Sequence, residues 1–267
     1  MKATPPPPAR ALRKLLQKVG MHPEDTVTSQ QSAPGRRALV VATNHGWLSN
    51  GKPTGVFASE LTVPYYHFLD AGMQVDVASP LGGLIPVDPR SLKPVLRTAA
   101  DDRYLADDVL QGKTQLSLAI GDLDMSEYDL VFLAGGWGAA FDFGVSKPLA
   151  DQMTAAAGLD LVIGGICHGP LGLRNAKTAD GHPLLEGRKV SAVTDKQVRE
   201  LRITSTPMHP EKELRKTGAL FESSTRFRDP FANHWVADDN LVTGQNQNAG
   251  PMVAREMVNR VLAKTAV

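Results

Sequence analysis

The chain has 267 residues and a single cysteine, which ends an apolar run in Leu161-Val162-Ile163-Gly164-Gly165-Ile166-Cys167-His168-Gly169-Pro170. A thiol is the side chain that most readily yields a nucleophile near neutral pH, and an adjacent imidazole can take or return its proton. A solitary cysteine is usually a small buried hydrophobe. Packing alone, however, requires neither the paired glycines before Cys167 nor the His-Gly-Pro after it. The run predicts a buried strand, a sharp turn at Cys167 and a helix from Pro170. That is the strand–turn–helix elbow that exposes a nucleophile at the carboxyl edge of a sheet. The N-terminus of such a helix faces the sulfur and is expected to lower its pKa.

An elbow needs a sheet behind it and partners brought to the same edge. From Arg37 onward, short apolar runs alternate with helical stretches. Ala38 to Thr43 predicts a first strand, followed by a Gly- and Asn-rich loop to Gly55. Val56 to Ala71 predicts a helix that ends at Gly72, where glycine suits a left-handed cap. Strands are expected at Gln74 to Ala78 and at Tyr128 to Ala134. Ser79-Pro80-Leu81-Gly82-Gly83 stops the first and Gly135-Gly136-Trp137-Gly138 the second. A helix over Lys147 to Ala157 precedes the strand from Leu159 to Ile166, whose unbroken apolar character marks a strand covered on both faces.

Further elements are expected as a strand at Lys189 to Val193, a helix at Glu211 to Thr217 and a strand at Leu220 to Ser223. A hairpin-like pair around 234–236 and 241–244 and a final helix from Ala249 to Lys264 complete the chain. The alternation predicts an α/β fold, a doubly wound and mainly parallel sheet sandwiched by helices. The stretch 88–126 is rich in Asp, Arg and Leu and is expected to form helices that cover a sheet edge. Residues 1–36 read as an N-terminal arm and linker, with Pro5 to Pro8 stiff, Arg10 to Val19 a short basic helix and Ser29 to Gly35 polar. One α/β domain follows over 37–267.

Twenty-nine basic against 28 acidic side chains leave a net charge of +1, which gives no electrostatic case for nucleic acid or an anionic membrane surface. No apolar run approaches the ~20 residues of a membrane span, and the N-terminus lacks the apolar core of a secretory signal. One cysteine forms no internal disulfide and no zinc pair, so a cytoplasmic location without a metal is expected. The loop Asn44 to Gly51 lacks the glycine and lysine spacing of a phosphate-binding loop, so no nucleotide cofactor is expected.

Gly165-Ile166-Cys167-His168-Gly169-Pro170 closely resembles the nucleophile elbow of the PfpI-like, class I glutamine-amidotransferase-like superfamily. Other segments resemble its branch of glutathione-independent glyoxalases (glyoxalase III) and heat-shock chaperones. Gly55-Val56-Phe57-Ala58-Ser59-Glu60-Leu61-Thr62-Val63-Pro64 looks like the segment with the nucleophile-contacting glutamate. Ala78-Ser79-Pro80-Leu81-Gly82-Gly83, with Pro86, Asp88 and Ser91, resembles the second-strand loop. Leu133-Ala134-Gly135-Gly136-Trp137-Gly138 resembles the segment of the oxyanion-hole glycine, and Leu241-Val242-Thr243-Gly244-Gln245-Asn246 the last strand and turn. The resemblance covers residues 37 to about 262.

It implies a flavodoxin-like fold and a homodimer. Cys167 is then the nucleophile, and Glu60 holds a proton against the sulfur with a raised pKa, because two like charges in contact are costly. His168 is implied as general base or orienting group, with Asp195 or the rival Glu200 as the carboxylate that orients it. The amides of Gly136 and His168 are the natural oxyanion donors. Trp137 stands where relatives commonly carry histidine, and with His45 it is expected to border a substrate pocket. His67 shares the helical face of Glu60, whereas His22, His182, His209 and His234 are expected at the surface. The implied activity is glyoxalase III-type, of the D-lactate dehydratase class, turning the small aldehyde methylglyoxal into lactate, with a related protein deglycase activity. The same constellation would serve a PfpI-type amidase or peptidase, or a stress chaperone and redox sensor.

Overall fold

The computed structural model describes residues 10–18, 22–23, 32–203, 205–229 and 232–265. Seven strands form the central sheet: β1 (Arg37–Val41), β2 (Gln74–Ser79), β3 (Leu118–Ala119), β4 (Leu130–Leu133), β5 (Val162–Ile166), β8 (Trp235–Asp238) and β9 (Leu241–Gly244). Their order is β3-β2-β1-β4-β5-β9-β8, and every pair is parallel except β8 with β9. A separate parallel pair joins β6 (Lys189–Val190) to β7 (Leu220–Phe221). The expected doubly wound sheet is therefore present, with the antiparallel hairpin at one edge.

Alternation along each strand sends successive side chains to opposite faces. Val40 and Phe132 pack with Leu61 and Phe68 of α2 (Ala58–Asp70) and with Val253 and Met257 of α9 (Gly250–Thr265). Leu39, Val131 and Ile163 pack on the other face with Ala140 of α5 (Ala139–Asp142) and with Leu149 and Met153 of α6 (Lys147–Gly158). Each such Leu, Val or Phe contributes roughly 1.5–3 kcal/mol by leaving water, which holds the strand ends in fixed register. Among the described residues, no helix is long and apolar enough to cross a membrane.

The stretch 88–126 folds as expected into helices, α3 (Ala99–Leu105) and α4 (Asp108–Gln115), and also supplies the edge strand β3. Thr98 and Asp101 form a capping box at the start of α3, satisfying N–H groups that a helix end leaves open. Thr62 donates to buried Asp101 at 2.7 Å, tying this insertion to α2. The expected short basic helix, α1 (Arg10–Lys18), is seated on the same insertion through an ion pair of Arg13 with Asp102. His22 is a correction to the surface reading: it is buried, and Nε2 donates to the Val95 carbonyl at 2.6 Å. The expected linker from Ser29 lies outside the described residues as far as Gln31. The remaining helices, α7 (Asp195–Glu200) and α8 (Pro210–Arg215), follow β6 near the carboxyl ends of the strands.

Candidate active site

The strand order reverses between β1 and β4, and in open α/β sheets ligands bind outside the strand ends at such a point. Cys167 is the first residue past β5, and its backbone is left-handed, with φ 58°. A non-glycine residue there costs on the order of 1–2 kcal/mol. The neighbouring chain holds it: the Cys167 amide donates to the Gly244 carbonyl at 2.9 Å, and its own carbonyl accepts from the Val193 amide at 3.1 Å.

The helix expected from Pro170 is instead a five-residue 3-10 turn, Gly169–Leu173. So short a segment has little macrodipole to offer the sulfur. The expected lowering of the thiol pKa is accordingly not found. Burial pushes the Cys167 thiol up, the charge and hydrogen bond of Glu60 push it further, and the amides of Gly136 and His168 counteract in part by donating to the sulfur.

Glu60 sits in the first turn of α2 and is only 1% exposed. It shares a hydrogen bond with the Cys167 thiol, while its Oε2 has no partner among the described residues. Burial raises its pKa to about 8, against the thiol's hydrogen bond. The direction is the one expected from the sequence, but its cause is loss of water; the neighbouring thiol works against it. Phe57 offers no side-chain cap to α2, so the cap comes from elsewhere: Ser91 Oγ accepts from the Ala58 amide at 3.0 Å.

Two glycines bring β4 into contact with this pair. A Cβ on Gly135 would lie 2.2 Å from Glu60 Oε2 and 2.8 Å from Cys167 Cβ, so only a bare backbone fits there. Gly136 has φ 110°, and a Cβ on it would meet the Phe57 nitrogen at 2.3 Å. That conformation, open to glycine, turns its amide toward the sulfur.

His168 is fully buried, with Nδ1 3.4 Å from the Cys167 sulfur. Its pKa is pushed down to about 3, by burial first and then by the nearby His209, so the ring is neutral in the ordinary pH range. Nε2 has no hydrogen-bond partner among the described residues. Neither carboxylate expected to orient this ring bonds to it. Asp195 Oδ1 has no hydrogen-bond partner among the described residues and lies 3.8 Å from His209 Nδ1. Glu200 Oε2 accepts from the Asp229 amide at 2.7 Å.

A cavity of about 840 Å³ opens onto Cys167 and Glu60, with Phe57, Trp137, Val193 and Phe227 in its walls. Trp137 is thus on the cavity, as expected. His45 is not: it stacks on Phe141 with ring centroids 4.1 Å apart, and its Nε2 lies 2.5 Å from the Trp47 carbonyl. His67 is buried in α2. Sequence reasoning passed over Arg90, whose guanidinium lies 3.7 Å from the centre of the Trp137 ring. Buried Asp88 fixes it, accepting from Arg90 Nε at 2.9 Å, from Nη2 at 2.5 Å and from Thr54 at 3.0 Å. The available signal was weak, a single arginine between the quoted Asp88 and Ser91. Among the described residues, no three His, Cys, Asp or Glu side chains are grouped as metal ligands.

The DJ-1/PfpI family model matches residues 53–260. The chain is 29% identical over 226 residues to Glyoxalase 3 of Candida albicans, covering 80% of this chain and 93% of that one. It is 30% identical over 247 residues to the glutathione-independent glyoxalase hsp3102 of Schizosaccharomyces pombe, covering 85% of this chain and 98% of the relative. The structure resembles that of glyoxalase III from Candida albicans with a TM-score of 0.75 at 25% identity, over 84% of this chain and 97% of the other. It resembles the Rapid Encystment Protein of Francisella tularensis with a TM-score of 0.78 at 28% identity, over 85% and 99% of the two chains.

Proposed function

The chain belongs to the DJ-1/PfpI family, and from that premise we propose that it is a glutathione-independent glyoxalase that converts methylglyoxal to lactate. The observation that carries the reading is the contact of Glu60 with Cys167 beneath two amides that converge on the sulfur. A thiolate adds to the aldehyde carbon, and the oxygen that gains the electron pair accepts from the Gly136 and His168 amides. The result is a hemithioacetal between the Cys167 sulfur and the aldehyde carbon, the precursor of a thioester.

Loss of the hydrogen on that carbon to a base gives an enediol, and return of a proton to the adjacent carbon gives a lactoyl thioester. Water then adds to the thioester and releases lactate and the free thiol, so the reaction consumes one water and needs no external oxidant. Glu60 suits the proton transfers, because a carboxyl whose pKa is about 8 can both give and take a proton near neutrality. His168 Nδ1, 3.4 Å from the sulfur, orients the thiol, and because burial disfavours its cation the thiol proton ends on the oxygen that becomes the hemithioacetal hydroxyl.

Removal of early methylglyoxal adducts from proteins would use the same thiolate and belongs to the same reading. We assign this chemistry to a domain over residues 37–267, in a cytoplasmic homodimer, with residues 1–36 as an arm. The test is consumption of methylglyoxal by the purified protein without glutathione, compared with Cys167→Ala, which should be inert.

A further inference from the structure

The cavity over Cys167 is much larger than a three-carbon ketoaldehyde needs. At about 840 Å³ it falls in the range of roughly 300–1,000 Å³ that takes drug-sized ligands. Its charges are distributed unevenly. The wall holds the carboxyl groups of Glu60, Asp88 and Glu200, and each has a partner: the thiol for Glu60, Arg90 and Thr54 for Asp88, and the Asp229 amide for Glu200.

Its cations differ. Lys93, Arg202 and Arg228 line the same cavity and are exposed. Among the described residues, none of the three has an ion-pair or hydrogen-bond partner for its side chain. Elsewhere, exposed and half-exposed basic groups commonly find carboxylates, as Arg103 does with Asp70 and Arg215 with Glu211. Because Cys167 is only 7% exposed while these cations are open to water, they lie at the mouth and the reacting atoms at the floor. Apolar side chains line the same cavity, among them Phe57 and Trp137, with Phe227, 94% exposed, out beside Arg228. Like-signed charges above low-dielectric walls concentrate an oppositely charged ligand.

We propose that the mouth formed by Lys93, Arg202 and Arg228 recognises an anion, and that the substrate is an α-oxoaldehyde whose far end carries a carboxylate or a phosphate. This rests on the glyoxalase reading above. The aldehyde meets Cys167, the intervening carbons lie along the apolar wall, and the anion reaches the cations. Methylglyoxal is then a truncated substrate, turned over without use of the mouth.

The test compares kcat/KM for 4,5-dioxopentanoate and for 3-phosphooxy-2-oxopropanal with that for the uncharged 2-oxopentanal. One or both anionic probes should be favoured by about tenfold at low salt, the low end of what a like-signed cleft confers. The preference should largely vanish near 1 M salt, where screening acts within about 3 Å. In Lys93→Ala/Arg202→Ala/Arg228→Ala the ratio should fall toward one, and whichever probe shows the larger preference identifies the anion. Equal kcat/KM for all three compounds in the wild type, or a preference that survives the triple substitution, overturns the proposal. Should no oxoaldehyde be turned over, the glyoxalase reading fails by itself, and the mouth is read by binding instead. Stronger protection of Cys167 from iodoacetamide by 4-oxopentanoate than by 2-pentanone, lost in the triple variant, sustains the anion site. Equal protection removes it.

Discussion

Glu60 and Cys167 meet in one hydrogen bond, although one comes from the first turn of α2 and the other from the residue just past β5, and both are buried. Burial raises both their pKa values, so the pair resists losing its last proton. The first prediction follows from that. With Glu60 titrating at about 8, an activity that needs its proton should fall as pH rises through about 8. Glu60→Gln should lower kcat by about 10²–10⁴-fold, the usual range for general acid–base catalysis, and should lose that alkaline limb. A pH–rate profile of the two proteins checks both.

The same shift has a consequence for stability. Glu60 holds its proton more tightly folded than unfolded, so its favourable contribution is complete below the unfolded value near 4.5 and is lost as pH rises toward about 8. Relative to Glu60→Gln, the wild type should therefore become less stable across that window. Urea unfolding of both proteins at several pH values measures the difference.

Gly135→Ala places a methyl 2.2 Å from Glu60 Oε2 and 2.6 Å from the Ile166 carbonyl, and the latter is backbone that cannot step aside. Overpacking of this kind costs typically about 1–3 kcal/mol. Displacement of the carboxyl should reduce kcat/KM by about 10²-fold, the effect of a misplacement near one ångström. Thermal unfolding and steady-state kinetics on one preparation report the two losses.

The left-handed backbone of Cys167, at φ 58°, gives a prediction independent of chemistry. Glycine adopts that conformation freely and alanine only at a cost, so Cys167→Gly should be more stable than Cys167→Ala by about 1 kcal/mol. This inverts the usual order of the two residues, and denaturant midpoints decide it.

Much of this arrangement was legible in the sequence. Unbroken apolar runs marked the buried strands, and glycines around Cys167 and Gly136 announced backbone in close approach. What could not be read was long-range pairing. Asp195 follows a strand at a spacing that suits a triad, yet its Oδ1 faces His209, not His168, because α7 and α8 pack side by side. His45 looked free to enter the pocket, but a ring stack with Phe141, 96 positions away by 141 minus 45, holds it aside. The elbow's glycine and proline signalled a helix, and the chain forms only a 3-10 turn. The expected charge effect on the thiol fails with it.

That geometry bears on Asp195 directly. Asp195→Asn and Glu200→Gln should each reduce kcat/KM by less than about tenfold, since neither carboxylate bonds to His168. A carboxylate that fixes a catalytic imidazole would instead cost about 10⁴-fold when replaced by its amide. Kinetics of the two amide variants separate these outcomes.

The central claim is that Cys167 turns over methylglyoxal without glutathione, and the most direct measurement follows lactate formed from methylglyoxal by the wild type and by Cys167→Ala. The account predicts lactate equal to the methylglyoxal consumed by the wild type, and no turnover above buffer by the variant. Lactate formation by Cys167→Ala at the wild-type rate, or its absence with the folded wild type, would contradict it.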